Sequence, residues 1–168
     1  MKIACIGSRD ISLEKSTELE KLGEAIASNG WIIASGNALG ADAAYARGAN
    51  KVNPALVHLY LPWRSYNKEL IHPDNELVLE CRSGWKDIAR RHHPLYEKLS
   101  QGVKKMMDRN AGIVIGSSLV LAVLNHKATG FGGTGHGWRV ATELKIPRVD
   151  LSHDFDIDEI IAYIKVQR

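Results

Sequence analysis

Long hydrophobic runs are missing from this 168-residue chain. No apolar stretch approaches the ~20 residues of a membrane-spanning helix, so a membrane partner is not expected. Cysteine is nearly absent as well. Cys5 and Cys81 stand at no metal-ligand or redox spacing, which points to a disulfide-free, cytoplasmic protein in which Cys5 packs as a small apolar residue of a strand. His92 and His93 adjoin without a cysteine or acidic partner at metal spacing, so neither a metal nor a cofactor is expected. Internal repeats, low-complexity tracts and linkers are lacking too, and the length suits one domain over residues 1–168 with a full core. The opening run, Met1 to Gly7, lacks the apolar core of a signal peptide and reads as a strand. Charge is almost balanced: 22 Lys+Arg against 19 Asp+Glu give a net +3 and a pI near 8.9. That balance is compatible with an anionic ligand or nucleic acid and requires neither.

What is present is glycine, in turns. The stretch Gly130-Phe131-Gly132-Gly133-Thr134-Gly135-His136-Gly137 follows an apolar run, Leu119 to Leu124, and precedes a helical pattern, Trp138 to Leu144. A strand entering glycines and then a helix is what a phosphate-binding turn requires. The backbone can approach a ligand closely, and a helix start offers unpaired N–H groups and partial positive charge. The same sequence also suits a plain loop.

Two earlier turns have the same form. Lys2 to Ile6 is a strand ended by Gly7-Ser8-Arg9, where Ser8 offers a hydroxyl and Arg9 a fork for phosphate, or else an exposed loop charge. A helix capped by Ser12 follows, with Leu19, Leu22 and Ile26 at helical spacing and a stop at Asn29-Gly30. The strand Trp31–Ala34 then runs into Ser35-Gly36-Asn37-Ala38-Leu39-Gly40-Ala41-Asp42 and a helix over 43–48. Asp42 falls in the first turn of that helix, where an acid caps or favours the dipole. The functional alternative is contact with a ligand hydroxyl.

Leu56 to Leu61 is a third strand, stopped by Pro62. The loop Trp63-Arg64-Ser65-Tyr66-Asn67-Lys68 behind it mixes aromatics and cations, a composition that stacks on and neutralises nucleic acid or serves as a packed surface or dimer contact. Glu76 to Glu80 suits a short extended segment or a helix. Pro94 opens a helix whose stripe is Leu95, Leu99, Val103, Met106 and Met107, and residues 111–115 read as a turn or strand. Arg90, Arg91, Lys98, Lys104, Lys105 and Arg109 make this the most basic region, read first as a solvated face. Arg148 to Leu151 is the last strand and 156–166 the last helix. Alternating buried strands and helices predict an α/β, Rossmann-like, doubly wound, mostly parallel sheet with helices on both faces. Such a fold brings Gly7-Ser8-Arg9, Ser35-Gly36 and Gly132-Gly133-Thr134-Gly135 to one crevice.

These turns, with Met106-Met107-Asp108-Arg109-Asn110, resemble the SLOG superfamily, which unites the DNA-processing protein A domain with the Lonely Guy nucleotide hydrolases. Ser35 to Asp42, continued by Arg47-Gly48-Ala49, looks most like DNA-processing protein A. Leu59-Tyr60-Leu61-Pro62-Trp63 is similar to small stand-alone phage and bacterial members, and a phage protein would work in the host cytoplasm. The resemblance spans residues 1–151 and implies a Rossmann-like fold, a homodimer or higher assembly, and a nucleotide-like ligand or single-stranded DNA. The implied site has Gly132, Gly133, Thr134 and Gly135 cradling phosphate, Ser8 and Arg9 assisting, Asp42 contacting ribose and Arg109 neutralising charge. The Lonely Guy enzymes cleave an N-glycosidic bond with an arginine, matched here by Arg109, and a glutamate, whose positions hold Trp138 and Arg139. A carboxylate would stabilise the positive charge that builds on the sugar. Glu143 and Asp42 are the remaining acids for that role, so the enzyme question stays open between a binding module and a divergent hydrolase. The alternative function is binding or processing of single-stranded DNA through Trp63, Arg64, Lys68, Arg90 and Arg91.

Overall fold

The computed structural model describes residues 1–82, 84–126 and 132–167. Six strands form one sheet: β1 (Lys2–Gly7), β2 (Ile32–Ser35), β3 (Val57–Tyr60), β4 (Glu76–Val78), β5 (Leu119–Val123) and β6 (Arg148–Asp150). Their order is β4-β3-β2-β1-β5-β6, and every pairing is parallel. Parallel strands covered on both faces read as continuous apolar runs, and β5 is buried at all five positions. Alternate residues serve two cores. Ile3, Cys5, Leu119 and Leu121 face α1 (Leu13–Ser28), α2 (Ala41–Val52) and α6 (Ile157–Val166). Ala4, Ile6, Val120 and Ala122 face α3 (Trp85–His92), α4 (Gln101–Val114) and α5 (Gly133–Glu143). The Rossmann-like, doubly wound expectation therefore holds, with a sheet that is wholly parallel.

The chain winds outward from β1 in one direction to β4 and in the other through β5 to β6. The order reverses between β1 and β5, and a ligand crevice is expected outside the carboxyl ends of strands at such a reversal. Gly7 and Val123 are paired there.

Several boundaries differ from the sequence expectations, each for a local reason. The helix anticipated from Pro94 begins at Gln101 instead, because Leu99 and Ser100 are extended and the Ser100 hydroxyl accepts from Val103 N–H. That helix continues to Val114 and absorbs 111–114, whose apolar residues Ala111, Ile113 and Val114 are buried against the sheet, with Ile115 as its cap. Helix α5 starts at Gly133, five residues before Trp138, so the glycines make its first turns. Glycine is a poor helix former, but a Cβ at Gly137 would lie 2.8 Å from Ile6 Cδ1, so its absence lets the helix sit close to the sheet. Gly130 and Phe131, the start of the glycine stretch, lie outside the described residues.

Helices α1 and α2 approach closely through two glycines. A Cβ at Gly48 would stand 1.8 Å from the Glu20 carbonyl oxygen, and one at Gly23 2.2 Å from that of Tyr45. Arg47 holds the outside of the same contact, donating from Nε to Glu20 at 3.1 Å and from Nη2 to Ser16 Oγ at 2.8 Å. Gly48→Ala is expected to lower stability by about 1–3 kcal/mol, the usual range for overpacking, in chemical denaturation. An unchanged midpoint would contradict this packing.

Candidate anion-binding cleft

The cleft at the β1–β5 reversal has a volume of about 650 Å³. One wall is Gly7, Ser8, Arg9 and Asp10, and another is Leu124, Asn125 and His126. Gly132 to Gly135, Gly137, Trp138 and Arg139 form the α5 side, and α4 supplies Met106, Met107, Arg109 and Asn110. Two of the three predicted turns therefore converge, together with Asp42 and Arg109. Ser35 and Gly36 do not line the cleft. Ser35 is fully buried, and the Arg109 guanidinium lies across Gly36, where a Cβ would meet Nη1 at 1.4 Å. Gly36 is thus the gap that admits Arg109, a packing role rather than a direct ligand contact.

Asp42 joins two strand ends. One carboxylate oxygen accepts from Gly7 N–H at 3.2 Å, the other from Gly36 N–H at 3.0 Å and Ala38 N–H at 3.4 Å. The residue preceding α2 is Gly40, with φ +78° and no side-chain cap bond, so Asp42 organises the turns rather than capping its own helix. A side chain at Gly40 would also strike the Arg9 and Ser8 carbonyls at 2.4 and 2.5 Å, and Ala41 N–H donates to Ser8 O at 3.0 Å. Burial pushes the Asp42 carboxyl up, opposed by the nearby Arg109 guanidinium and by the three backbone N–H donors.

Arg109 is 7 % exposed, and its buried Nε has no hydrogen-bond partner. Burial pushes its pKa down; the Asp42 charge and Tyr66 oppose that shift, while Arg9 reinforces it. The Arg109 guanidinium lies over the Tyr66 ring at 5.5 Å, and Arg9 Nη2 donates to the Tyr66 hydroxyl at 3.4 Å. Tyr66 is held in turn. Asn37 and Asn67, both left-handed at φ 55° and 43°, exchange side-chain bonds with each other's segments. Asn37 Nδ2 donates to the carbonyls of Tyr66 and Asn67, and Asn67 Nδ2 donates to that of Asn37. Asparagine tolerates this backbone region, which is the signal in Gly36-Asn37 and Tyr66-Asn67 that sequence reasoning passed over.

Across the cleft, α5 presents its first turn. Gly132 precedes it without a capping side chain, and His136 N–H already bonds to Gly132 O. Helix starts of this kind leave N–H groups available for an anion. Asn110 Nδ2 donates to Gly133 O at 3.4 Å and ties the turn to α4. Ser8 is turned to its own loop, exchanging bonds with Asp10 N–H and carbonyl.

The remaining candidates fall elsewhere. Glu143, at the far end of α5, pairs with Arg91 at 2.5 Å and with His92 and does not line the cleft. Arg90 pairs with Glu97, so both arginines of the basic helix have acidic partners. Trp63, Arg64 and Lys68 are exposed on the β3 loop, with Trp63 edge-on to Tyr66 at 5.3 Å. Among the described residues no group of three His, Cys, Asp or Glu side chains could hold a metal ion, and no helix is long and apolar enough to cross a membrane.

His136 fastens the glycine-bearing helix to α3. It is fully buried and bonds through Nε2 to Ala89 O at 3.1 Å. Burial lowers its pKa to about 4, helped by the Arg139, His93 and His92 charges and opposed by the Ala89 bond. The folded value lies below the unfolded one, so the neutral ring's contribution is complete above about pH 6.5 and is lost as pH falls toward 4, by about 3 kcal/mol at most. Replacing His136 with Gln is expected to flatten the loss of melting temperature between pH 7 and 4; an unaltered acid limb would count against this role.

Residues 1–58 match the family model described as DNA recombination-mediator protein A. No curated protein sequence matches the chain. Among solved structures, the chain is similar to DNA processing protein A from Helicobacter pylori, described for its single-stranded DNA binding mode. The TM-score is 0.62 at 17% identity, over 99% of this chain and 73% of that one. It is also similar to the Moco carrier protein of Chlamydomonas rheinhardtii, with a TM-score of 0.64 at 17% identity, over 99% of this chain and 96% of that one. The family match spans β1, α1, β2 and α2, and the likeness to the two solved structures extends over the whole fold.

Proposed function

We propose that the cleft binds an anionic, nucleotide-like small molecule, with its phosphate between Arg109 and the first turn of α5. The observation that carries this reading is Arg109: a buried guanidinium with an unpartnered Nε, lining a cleft of about 650 Å³ opposite a helix start. A buried cation is costly unless paired, and Asp42 already shares its oxygens among three backbone donors. A phosphate at this point supplies charge and acceptors together. Gly132, Gly133, Thr134 and Gly135 contribute backbone approach, and Arg9 a second cation. Trp138 and Arg139 stand on the cleft wall where the related hydrolases keep a glutamate, and Glu143 is engaged outside it. The reading is therefore binding, as a sensor or sequestering module, rather than glycosidic hydrolysis.

A panel of nucleoside monophosphates, diphosphates and NAD derivatives is expected to raise the melting temperature with at least one member. Gly133→Asp, which brings a carboxylate to the α5 start, is expected to abolish the shift. No shift with any member would reject the reading.

A second reading, single-stranded DNA binding, is favoured by one feature. Trp63 is 38% exposed and braced by Tyr66, with Arg64 and Lys68 exposed on the same loop. Such a loop suits a base stacked on an aromatic ring beside cations. Gel retardation of an oligonucleotide is then expected to weaken about tenfold or more in Trp63→Ala, from a stacking contribution of about 1–3 kcal/mol. Retardation unchanged by that substitution would reject this surface.

A further inference from the structure

One polar cluster at the cleft mouth is absorbed by neither reading. His126 follows β5 and lines the cleft. Its Nε2 lies 2.8 Å from Asp150 Oδ2 and 3.0 Å from Ser152 Oγ. Asp150, at the end of β6, accepts through Oδ1 from Ser152 N–H at 3.0 Å and Leu124 N–H at 3.5 Å. Burial alone would raise the Asp150 carboxyl; the bonds from the Ser152 backbone and hydroxyl, from His126 and from Leu124 outweigh it and keep the acid ionised. An ionised carboxylate has no proton to give, so Nε2 carries the hydrogen and donates it to Asp150. The ring is fixed from a second side by His153, stacked at 5.9 Å and 15°, whose carbonyl accepts from Lys15 Nζ at 2.8 Å.

This is not a nucleophile relay. In a Ser-His-Asp triad the serine and the acid take opposite ring nitrogens, whereas Ser152 and Asp150 share Nε2. Among the described residues, the polar edge left to the imidazole is Nδ1. The Asp150 charge also makes the spot unfavourable for a second anionic group. A ligand hydroxyl suits Nδ1, which accepts its proton while Nε2 stays on Asp150.

We propose that His126, oriented by Asp150, forms a hydroxyl-recognising subsite that holds the sugar of a ligand whose phosphate sits at Arg109 and the α5 turn. The proposal rests on the phosphate reading above. It adds an acid-linked sugar contact distinct from Asp42, whose oxygens accept from three backbone N–H groups. His126 and Asp150 act here in positioning, and no bond-breaking step is assigned to them.

The test is calorimetric or NMR titration of the full chain with inorganic phosphate and with ribose 5-phosphate, base-free probes that differ in the sugar. Wild-type protein is expected to bind ribose 5-phosphate about tenfold more tightly than phosphate, in keeping with one hydrogen bond to the imidazole. His126→Phe, which keeps a ring against His153, and Asp150→Asn are both expected to bring ribose 5-phosphate down to the level of phosphate. Neither is expected to alter phosphate affinity, which a merely structural role would also disturb. Equal wild-type affinities, or a preference that survives in both variants, would overturn the subsite while leaving phosphate binding intact. Failure of the wild type to bind phosphate at all would overturn the phosphate reading and this inference with it.

Discussion

The Asp42 carboxylate is the constraint on which the cleft depends. It gathers backbone N–H groups from Gly7 at the end of β1 and from Gly36 and Ala38 beyond β2, so two loops from separate strands share one anchor. Charge-assisted bonds to backbone are the stronger class of hydrogen bond, and burial removes the competing water. The negative charge so fixed also opposes part of the cost of burying the Arg109 guanidinium, and that group occupies the space a side chain at Gly36 would fill. Glycine at 36, aspartate at 42 and arginine at 109 form one arrangement, in which changing any member disturbs the other two.

Around this anchor the molecule is rigid on one side and cationic toward the opening. The asparagine clasp between Asn37 and Asn67 holds Tyr66 in place, and Tyr66 receives Arg109 on its ring and Arg9 on its hydroxyl. The two guanidiniums held by Tyr66 repel each other, which is the direction in which Arg9 shifts Arg109. On the far wall, glycines bring α5 against β1 and leave its first turn uncapped. The same glycines that weaken the helix intrinsically leave its first turn open to the cleft.

The fold was largely legible in the residues. Apolar strands of four to six residues alternate with helical stripes, and parallel burial leaves that pattern in composition. The glycine turns at 7–9 and 132–135, which line the cleft, were legible for the same reason: close backbone approach needs glycine whatever the surroundings. Less legible were the helix starts at Gln101 and Gly133. There a serine cap in one case, and packing against Ile6 and Asn110 in the other, overrode propensity.

What the sequence by itself determined is the wound parallel sheet, the order of the turns and the residue types that can meet an anion, since these follow from hydrophobic period and backbone freedom, which are local. The tertiary structure alone decided which polar groups remain available. Asp42 turned inward to the backbone, Glu143 and Arg91 found each other across two helices, Arg90 found Glu97, and His126 came beside Asp150 from a different strand end. Pairing between charges distant in sequence depends on where the sheet places its strand ends, and no spacing along the chain encodes that.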